Sequence, residues 1–195
     1  MAIGALPQFI RDSYQHMEYN HATAILQCDF PNEWKDLIEI LTDFRLYRSA
    51  VLEPGKNKSP IANALDRQLY DRGWKEKQFQ TSTIVDGVVR ETPTHKVDCF
   101  KNKIAIEIEW NNKDPFYDRD LNNFRLLFDL KAISVGVVIT RATELQKIFN
   151  ELGKGSSYGN STTHYDKLEP RILGGGAGGC PVLVFGITRN LYVED

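Results

Sequence analysis

The residues from 95 to 112 constrain the fold more than any other stretch, because they are typical of two β-strands joined by a tight turn at Lys101-Asn102. In the second strand every other position is apolar: Ile104, Ile106, Ile108 and Trp110. Side chains along a strand point to opposite faces with a period of two residues. The four apolar side chains are therefore predicted to enter a core, and Glu107 and Glu109 to emerge together on the other face.

A third acidic residue of this hairpin is expected on the face that carries the two glutamates. With the turn placed as above, Asp98 pairs with Ala105 and lies diagonal to Glu107, about 7–8 Å away at the backbone. Three converging carboxylates repel one another unless a cation, a shared proton or solvent compensates them. One interpretation is an edge strand with solvated glutamates. The other is a divalent-metal site, in which hard oxygen ligands hold magnesium for hydrolysis of a phosphate ester.

The composition fits one globular domain. The 195 residues carry a net charge of −2, so a case for nucleic-acid binding must rest on a local patch. No apolar run approaches the roughly 20 residues that a membrane span needs, and the chain starts without the pattern of a signal peptide. The three cysteines are widely spaced, which favours reduced thiols and a cytoplasmic location over a disulfide framework.

Apolar spacing and turn residues predict the order of the helices and strands. Helical spacing is found at residues 33–46, 60–73, 121–130 and 144–152, and more weakly before residue 23, and strands are predicted at 81–90, 95–112, 134–140 and 181–188. Asn32 is the expected N-cap of the first long helix, and Ser59 with Pro60 the start of the second, whose apolar face is expected to exclude Asp66. This order predicts one α/β (α+β) domain over residues 1–195, with a central mixed β-sheet flanked by helices.

Residues 153–179 show little apolar pattern and are predicted to form a long loop. A loop of this length inside a compact domain is usually functional or disordered. It holds five serine and threonine residues beside amide, imidazole and cationic side chains, which can bond to phosphates or to base edges. Gly174, Gly176 and Gly179 match the spacing of a dinucleotide-binding motif, but they precede a strand instead of joining a strand to a helix, so that interpretation is rejected.

The spacing of Asp98, Glu107 and Glu109 resembles the metal-binding core of the restriction-endonuclease-like nucleases of the PD-(D/E)xK family. The last position of that pattern is usually lysine, and the BglII- and BamHI-like branch of type II restriction endonucleases is known for Glu or Gln there. The segments GNSTTHYDKLEPRI and GGCPVLVFGIT resemble the C-terminal part of that branch, and YNHATAIL resembles its N-terminal helix. Together these segments span most of the chain.

The resemblance implies a restriction-endonuclease-like core and a reaction. Enzymes of this branch are homodimers that use Mg²⁺ to cut double-stranded DNA within short palindromes, often with a GATC core, and leave 5′-phosphates. On this resemblance Asp98 and Glu107 hold the metal, with the Ile108 carbonyl as a further ligand. Glu109 stands in for the usual lysine and either orients the attacking water or accepts its proton. Asn63 takes the upstream accessory position of the catalytic site.

The same resemblance places base recognition just after the catalytic strand and in the long loop. The residues predicted to read bases are Asn111, Asn112, Lys113, Ser161, Thr162, Thr163 and His164. In the major groove asparagine suits adenine, and arginine or lysine suits guanine. Lys56, Lys58, Lys154 and Arg171 are candidate phosphate contacts, which position DNA without specifying its sequence. Without the resemblance, the asparagine pair would be an ordinary turn and the hydroxyl cluster a solvated loop.

Three other functions stay open on the sequence. They are a sequence-unspecific or repair nuclease of the same core, a DNA-binding module that has lost cleavage, and a hydrolase of small phosphate esters. The first and the third do not need a dedicated polar loop such as 153–179, and the second has no reason to keep clustered carboxylates. The leading hypothesis is therefore a Mg²⁺-dependent type II restriction endonuclease that acts on double-stranded DNA as a homodimer.

Overall fold

The computed structural model of the protein describes residues 2–54, 58–92 and 94–195. The strands are β1 (Tyr14–Tyr19), β2 (Leu46–Tyr47), β3 (Lys75–Lys77), β4 (Ser82–Val85), β5 (Val88–Glu91), β6 (Val97–Lys101), β7 (Ile104–Glu109), β8 (Val135–Arg141), β9 (Val182–Ile187) and β10 (Tyr192–Val193). The helices are α1 (Gln8–Ser13), α2 (Ala22–Asp29), α3 (Pro31–Asp43), α4 (Arg48–Leu52), α5 (Pro60–Tyr70), α6 (Phe116–Asp129), α7 (Gln146–Glu151) and α8 (Tyr165–Leu173). In the described part of the chain, no helix is long and apolar enough to cross a membrane.

Six strands form the central sheet in the order β1-β9-β8-β7-β6-β3. The neighbours β7, β8 and β9 run parallel, whereas β1, β6 and β3 pair antiparallel with their neighbours. Every residue of β7, β8 and β9 is buried, as expected for parallel strands that are covered on both faces. The predicted architecture, a central mixed sheet flanked by helices, is confirmed.

The sheet separates two apolar layers. One layer packs residues of α1 to α5 and α7 against one face. It receives the side chains of Ile104, Ile106 and Ile108 from β7 and of Trp110 directly after it, as predicted. The other layer is built by α6 and α8 and includes Tyr117, Phe124 and Leu168. Glu107 and Glu109 lie on the α6 side, and helix α6 covers them, so the predicted opposite face of β7 is buried rather than solvated.

The hairpin formed by β6 and β7, called here the acidic hairpin, turns one residue later than predicted. Asn102 and Lys103 have φ values of 42° and 68°, and the register pairs Cys99 with Ile106. The predicted pairing of Asp98 with Ala105 is therefore wrong by two residues. A shift of two residues keeps each side chain on its own face of the strand, so Asp98 comes level with Glu107 instead of diagonal to it.

Three other local predictions are wrong. The first long helix begins at Pro31 and not after an Asn32 cap, because proline at the first helical position already has the helical φ. Residues 14–19, taken as helical in spacing, form the edge strand β1. The loop predicted over 153–179 contains the nine-residue helix α8, whose apolar spacing is interrupted by the internal Pro170.

Candidate active site

A cleft of about 560 Å³ opens beside the end of β7. Its walls come from the acidic hairpin, the start of α5, the segment that follows β7 and the start of α6. The side chains that matter for its chemistry are Lys58, Asp98, Glu109, Asn112 and Arg119, and the backbone of Ile108 lines it as well. Five of the positions predicted for catalysis, metal binding or base reading therefore border one cleft, namely Asp98, Ile108, Glu109, Asn111 and Asn112.

Asp98 and Glu107 lie next to each other just beyond the last paired residues of β6 and β7, where hydrogen bonds hold their carboxylates in place. The Asp98 N–H donates to Glu107 Oε2 at 3.3 Å, and the Ile108 N–H donates to Asp98 Oδ2 at 3.0 Å. The other oxygen of Glu107, Oε1, is buried and has no hydrogen-bond partner among the described residues. Burial, with the charges of Asp120 and Asp98 added to it, raises the pKa of Glu107 well above its ordinary value. Such an oxygen is a ready acceptor for a proton or a cation.

Glu109 borders the cleft with both carboxylate oxygens held. Asn112 Nδ2 donates to its Oε2 at 2.9 Å, and Arg119 Nη2 donates to its Oε1 at 3.4 Å. Burial, followed by the charge of Asp120, raises the pKa of Glu109 to about 9. A carboxyl group with a raised pKa beside a cleft can accept or hold a proton near neutral pH.

Asp120 completes this buried group, and the sequence interpretation missed it. It is 1% exposed on α6, Arg119 Nε donates to its Oδ1 at 2.8 Å, and burial raises its pKa. Its Oδ2 has no partner within the described chain. The sequence does carry a signal for it, since Asp120 falls on the apolar stripe of α6 that Tyr117, Leu121 and Phe124 define.

Lys58 and Asp66 form the other side of the site. Lys58 Nζ lies 3.0 Å from Asp98 Oδ1 and also contacts Asp66 Oδ2. Burial works against the charge of Lys58, but the two carboxylates outweigh it and raise the pKa of the ammonium group. The prediction that Asp66 lies off the buried face of α5 is wrong, because Asp66 is 4% exposed. Asn63, one turn earlier on α5, is exposed and donates to the Lys58 carbonyl at 3.5 Å.

The described residues contain no group of three or more His, Cys, Asp or Glu side chains arranged to hold a metal ion. The expected convergence of three carboxylates is therefore wrong for this conformation, because Asp98 is paired with Lys58 and Glu109 is turned towards Asn112 and Arg119. Asp98 and Glu107 still offer adjacent hard oxygen donors, one of them without a partner. Magnesium needs only one or two carboxylates beside water and substrate phosphate, so these residues fit such an ion.

The two segments predicted to read bases meet in space. Lys113 forms an isolated β-bridge with Thr162, and the Thr163 N–H donates to the Asn112 carbonyl at 2.8 Å. These contacts, called here the recognition bridge, join residues 112–114 to residues 161–163. They hold residues 161–163 against the segment after β7, in which Asn111 and Asn112 line the cleft.

The predicted base-reading residues differ in how far they reach solvent. The exposed ones are Lys113 and Ser161, and Asn111, Asn112 and Thr162 are half-buried. Thr163 is completely buried, and His164, which is 8% exposed, lies 2.9 Å from the Thr143 hydroxyl. A buried side chain cannot meet a base edge without rearrangement. Thr163 and His164 therefore support the cleft in this conformation.

The candidate phosphate contacts are scattered, apart from Lys58. Arg171 donates to Asp118 at 2.9 Å on the side of α8 that faces α6, and Lys154 is half-buried in the turn after α7. Lys56 lies outside the described residues. Lys58 is thus the candidate that the structure brings to the cleft.

The sequence was compared with models of known protein families. The family model described as restriction endonuclease BglII/BglIII matches residues 14–187. No curated protein sequence matches the chain significantly. The matched range includes the acidic hairpin, α5, α6 and both sides of the recognition bridge.

Proposed function

The chain belongs to the BglII-type restriction endonuclease family, and from that membership we propose that it is a Mg²⁺-dependent homodimer that cuts double-stranded DNA at a short palindromic site. The family is one of type II site-specific deoxyribonucleases, which are hydrolases of restriction systems. The fold agrees with a restriction-endonuclease-like core. The metal, the residues that hold it, the dimer, a GATC-containing site and a cytoplasmic location are the proposed parts.

Asp98 and Glu107 would hold the magnesium ion, with the Ile108 carbonyl as a further ligand. The observation that carries this proposal is the pair of hydrogen bonds that fixes these two carboxylates side by side and leaves Glu107 Oε1 unsatisfied within the described chain. When bound, magnesium polarises a phosphoryl oxygen and lowers the pKa of water.

Glu109 would orient the attacking water or accept its proton. Its place on the cleft wall suits either role, and the charge of a bound divalent cation would favour the ionised form that accepts a proton. Asn112 and Arg119 hold its two oxygens and so keep the carboxylate from turning away. Attack in line with the leaving 3′ oxygen gives a product with a 5′-phosphate.

Base recognition is assigned first to the polar groups of the recognition bridge that reach solvent. Lys113 and Ser161 are exposed, and Asn111 lines the cleft. Asn112 and Thr162 follow, although each already makes a hydrogen bond inside the protein. The buried Thr163 and His164 would position the recognition bridge without contacting bases. Asn63 remains the proposed accessory residue on α5.

Digestion of phage DNA tests the proposal. Discrete fragments with Mg²⁺, and bound but uncut DNA with Ca²⁺, support it. A smear indicates an unspecific nuclease, DNA bound but uncut with both ions indicates a binding module, and hydrolysis of p-nitrophenyl phosphate instead of DNA indicates a small-ester hydrolase. Glu107→Ala should abolish cutting and keep specific binding, whereas Glu76→Ala, which removes a carboxylate from the wall of the same cleft, should keep the fragment pattern.

A further inference from the structure

Lys58 places a positive charge on the carboxylate that the proposed metal site needs. It directly precedes Ser59, whose hydroxyl caps α5 by accepting the Ala62 N–H at 3.0 Å. From this fixed position its ammonium group reaches Asp98 Oδ1 at 3.0 Å and also contacts Asp66. The side chain is 32% exposed and opens to the cleft.

The contact occupies an oxygen that a metal ion would use. Asp98 Oδ2 already accepts the Ile108 N–H at 3.0 Å. Asp98 Oδ1, held by Lys58, is the oxygen that no backbone group takes in the described chain. A divalent cation bound between Asp98 and Glu107 therefore meets the ammonium group at the same oxygen, and two cations on one carboxylate oxygen repel each other.

We propose that Lys58 is the internal counter-ion of the metal site, which neutralises Asp98 and Asp66 in the metal-free protein and is displaced from Asp98 when the divalent cation binds. The proposal rests on the proposed function, because it assumes that Asp98 holds the metal. A purely structural ion pair, which only fastens the start of α5 to β6, would stay in place when the metal binds.

Removal of the internal cation gives the first test. Lys58→Met keeps an unbranched apolar side chain of similar length but removes the ammonium group from Asp98 and Asp66. An added cation then no longer has to displace that ammonium group. In calorimetric titrations of the DNA-free protein with Ca²⁺, we expect Lys58→Met to bind the ion about tenfold more tightly than the wild type, or better. The matched control is Lys96→Met, which removes a lysine that lines the same cleft but pairs with Glu76 at 2.9 Å, and its affinity should stay within about twofold of the wild type.

Labelling of the unmodified chain gives a test that does not depend on the folding of a variant. Trace acetylation with acetic anhydride, followed by peptide mass mapping, measures how reactive each lysine is. We expect Ca²⁺ to increase the labelling of Lys58 several-fold, because the side chain then loses its contact with Asp98 and its amino group becomes more accessible to the reagent in the open cleft. Labelling of Lys96 should not change.

The possible outcomes separate the two proposals. The role of Lys58 is overturned if the wild type and Lys58→Met bind Ca²⁺ with equal affinity, or if Ca²⁺ does not change the labelling of Lys58. The metal site stands in both cases. Absence of Ca²⁺ binding in all three proteins, with and without DNA, overturns the metal site and the role of Lys58 with it.

Discussion

Glu107, Glu109 and Asp120 lie together between β7 and α6, and none of them is more than 2% exposed. Burial comes first among the causes that raise the pKa of each. Carboxyl groups in this position favour the neutral form, so ionising them in the folded protein costs free energy. These three carboxyl groups therefore lower the stability of the metal-free protein when they are ionised, while they serve the chemistry of the site.

The stability of the metal-free protein should fall as the pH rises, and Glu109→Gln should weaken that dependence. The folded pKa of Glu109 is raised from an ordinary value of 4.5 to about 9, so between these values the folded state binds more protons than the unfolded state. Stability then decreases with pH across that window. Glutamine is neutral at every pH. We therefore expect the variant to unfold at a higher temperature than the wild type at pH 8.5. The difference should be roughly 2–4 °C for each kcal/mol by which the substitution increases the free energy of unfolding.

Differential scanning calorimetry in the presence of a chelator measures this effect from pH 5.5 to pH 8.5. The matched control is Glu151→Gln, which changes an exposed glutamate on α7 and should shift the whole curve without changing its slope. A wild-type midpoint that rises with pH over this range would contradict the raised pKa.

At the scale of single residues, the sequence predicts the acidic residues that alternate along the hairpin. It misses the acidic residues that the packing of helices against the hairpin brings to the site. The alternation in β7 correctly assigns Glu107 and Glu109 to one face, and a register error of two residues leaves Asp98 on that face too. Asp66 and Asp120 were missed because a helix face was defined by its apolar members alone. Both aspartates fall on such a stripe, and only the packing of α5 and α6 against the hairpin shows why.

At the scale of elements, the recognition bridge ties the segment after β7 to the segment before α8. Thr163 lies at its centre, where its hydroxyl accepts the Asn112 N–H at 3.2 Å and donates to the Glu109 carbonyl at 3.4 Å. Asn112 in turn holds the Glu109 side chain. The bridge therefore connects a candidate catalytic carboxylate to the segments proposed to contact DNA.

Thr163→Val should lower both stability and cleavage. Valine has nearly the same shape but leaves the part-buried Asn112 N–H without its acceptor, which costs about 1–3 kcal/mol. We expect a lower unfolding temperature and a slower Mg²⁺-dependent cleavage of cognate DNA under single-turnover conditions. Ser161→Ala is the matched comparison, because Ser161 is exposed at the other end of the bridge. It should keep the unfolding temperature and reduce discrimination between cognate and single-mismatch sites, and a stable, fully active Thr163→Val would show that the bridge has no role in positioning.

The hairpin of β4 and β5 stands apart from the central sheet as a two-stranded sheet of its own. Ile84 and Val89 face each other across it and are 68% and 62% exposed. Replacing both with threonine should change the free energy of unfolding by no more than about 0.5 kcal/mol per site, as for other exposed positions. Ile106→Thr, in the fully buried β7, should cost several times as much in urea denaturation, and equal losses at both places would mean that the hairpin is buried in solution.

The elements themselves differ in how well a single sequence predicts them. The helices α3, α5 and α6 carry apolar side chains at helical spacing along their length, and the capping of α5 by Ser59 is confirmed. Helix α8 was missed because Pro170 and four charged residues break its stripe, although Tyr165, Leu168 and Ile172 are buried. The strand β1 was missed because its identity depends on pairing with β9, nearly the whole chain away.

At the scale of the whole molecule, the sheet and its two helical layers bring distant segments to one cleft. Lys58, Asp98 and Arg119 line the cleft that the described residues build beside the end of β7. A single site of this kind acts on one phosphodiester bond at a time. The proposed cut through both strands of a palindrome takes two such sites, or two successive events at one site, and the proposed two-fold dimer matches the symmetry of the DNA.

A dimer with one inactive subunit should nick DNA instead of cutting it through. Wild-type and Glu107→Ala chains carrying different affinity tags can be co-expressed, and the mixed dimer isolated by two successive affinity steps. The substrate is a supercoiled plasmid with one cognate site, in the presence of Mg²⁺. We expect the wild-type dimer to give linear DNA and the doubly substituted dimer to leave the plasmid intact. The mixed dimer should give open circles, because each subunit cuts one strand. Linear product from the mixed dimer at the wild-type rate, or recovery of no mixed dimer and a monomer mass in analytical ultracentrifugation, would overturn the two-fold arrangement while leaving the chemistry of the single cleft untouched.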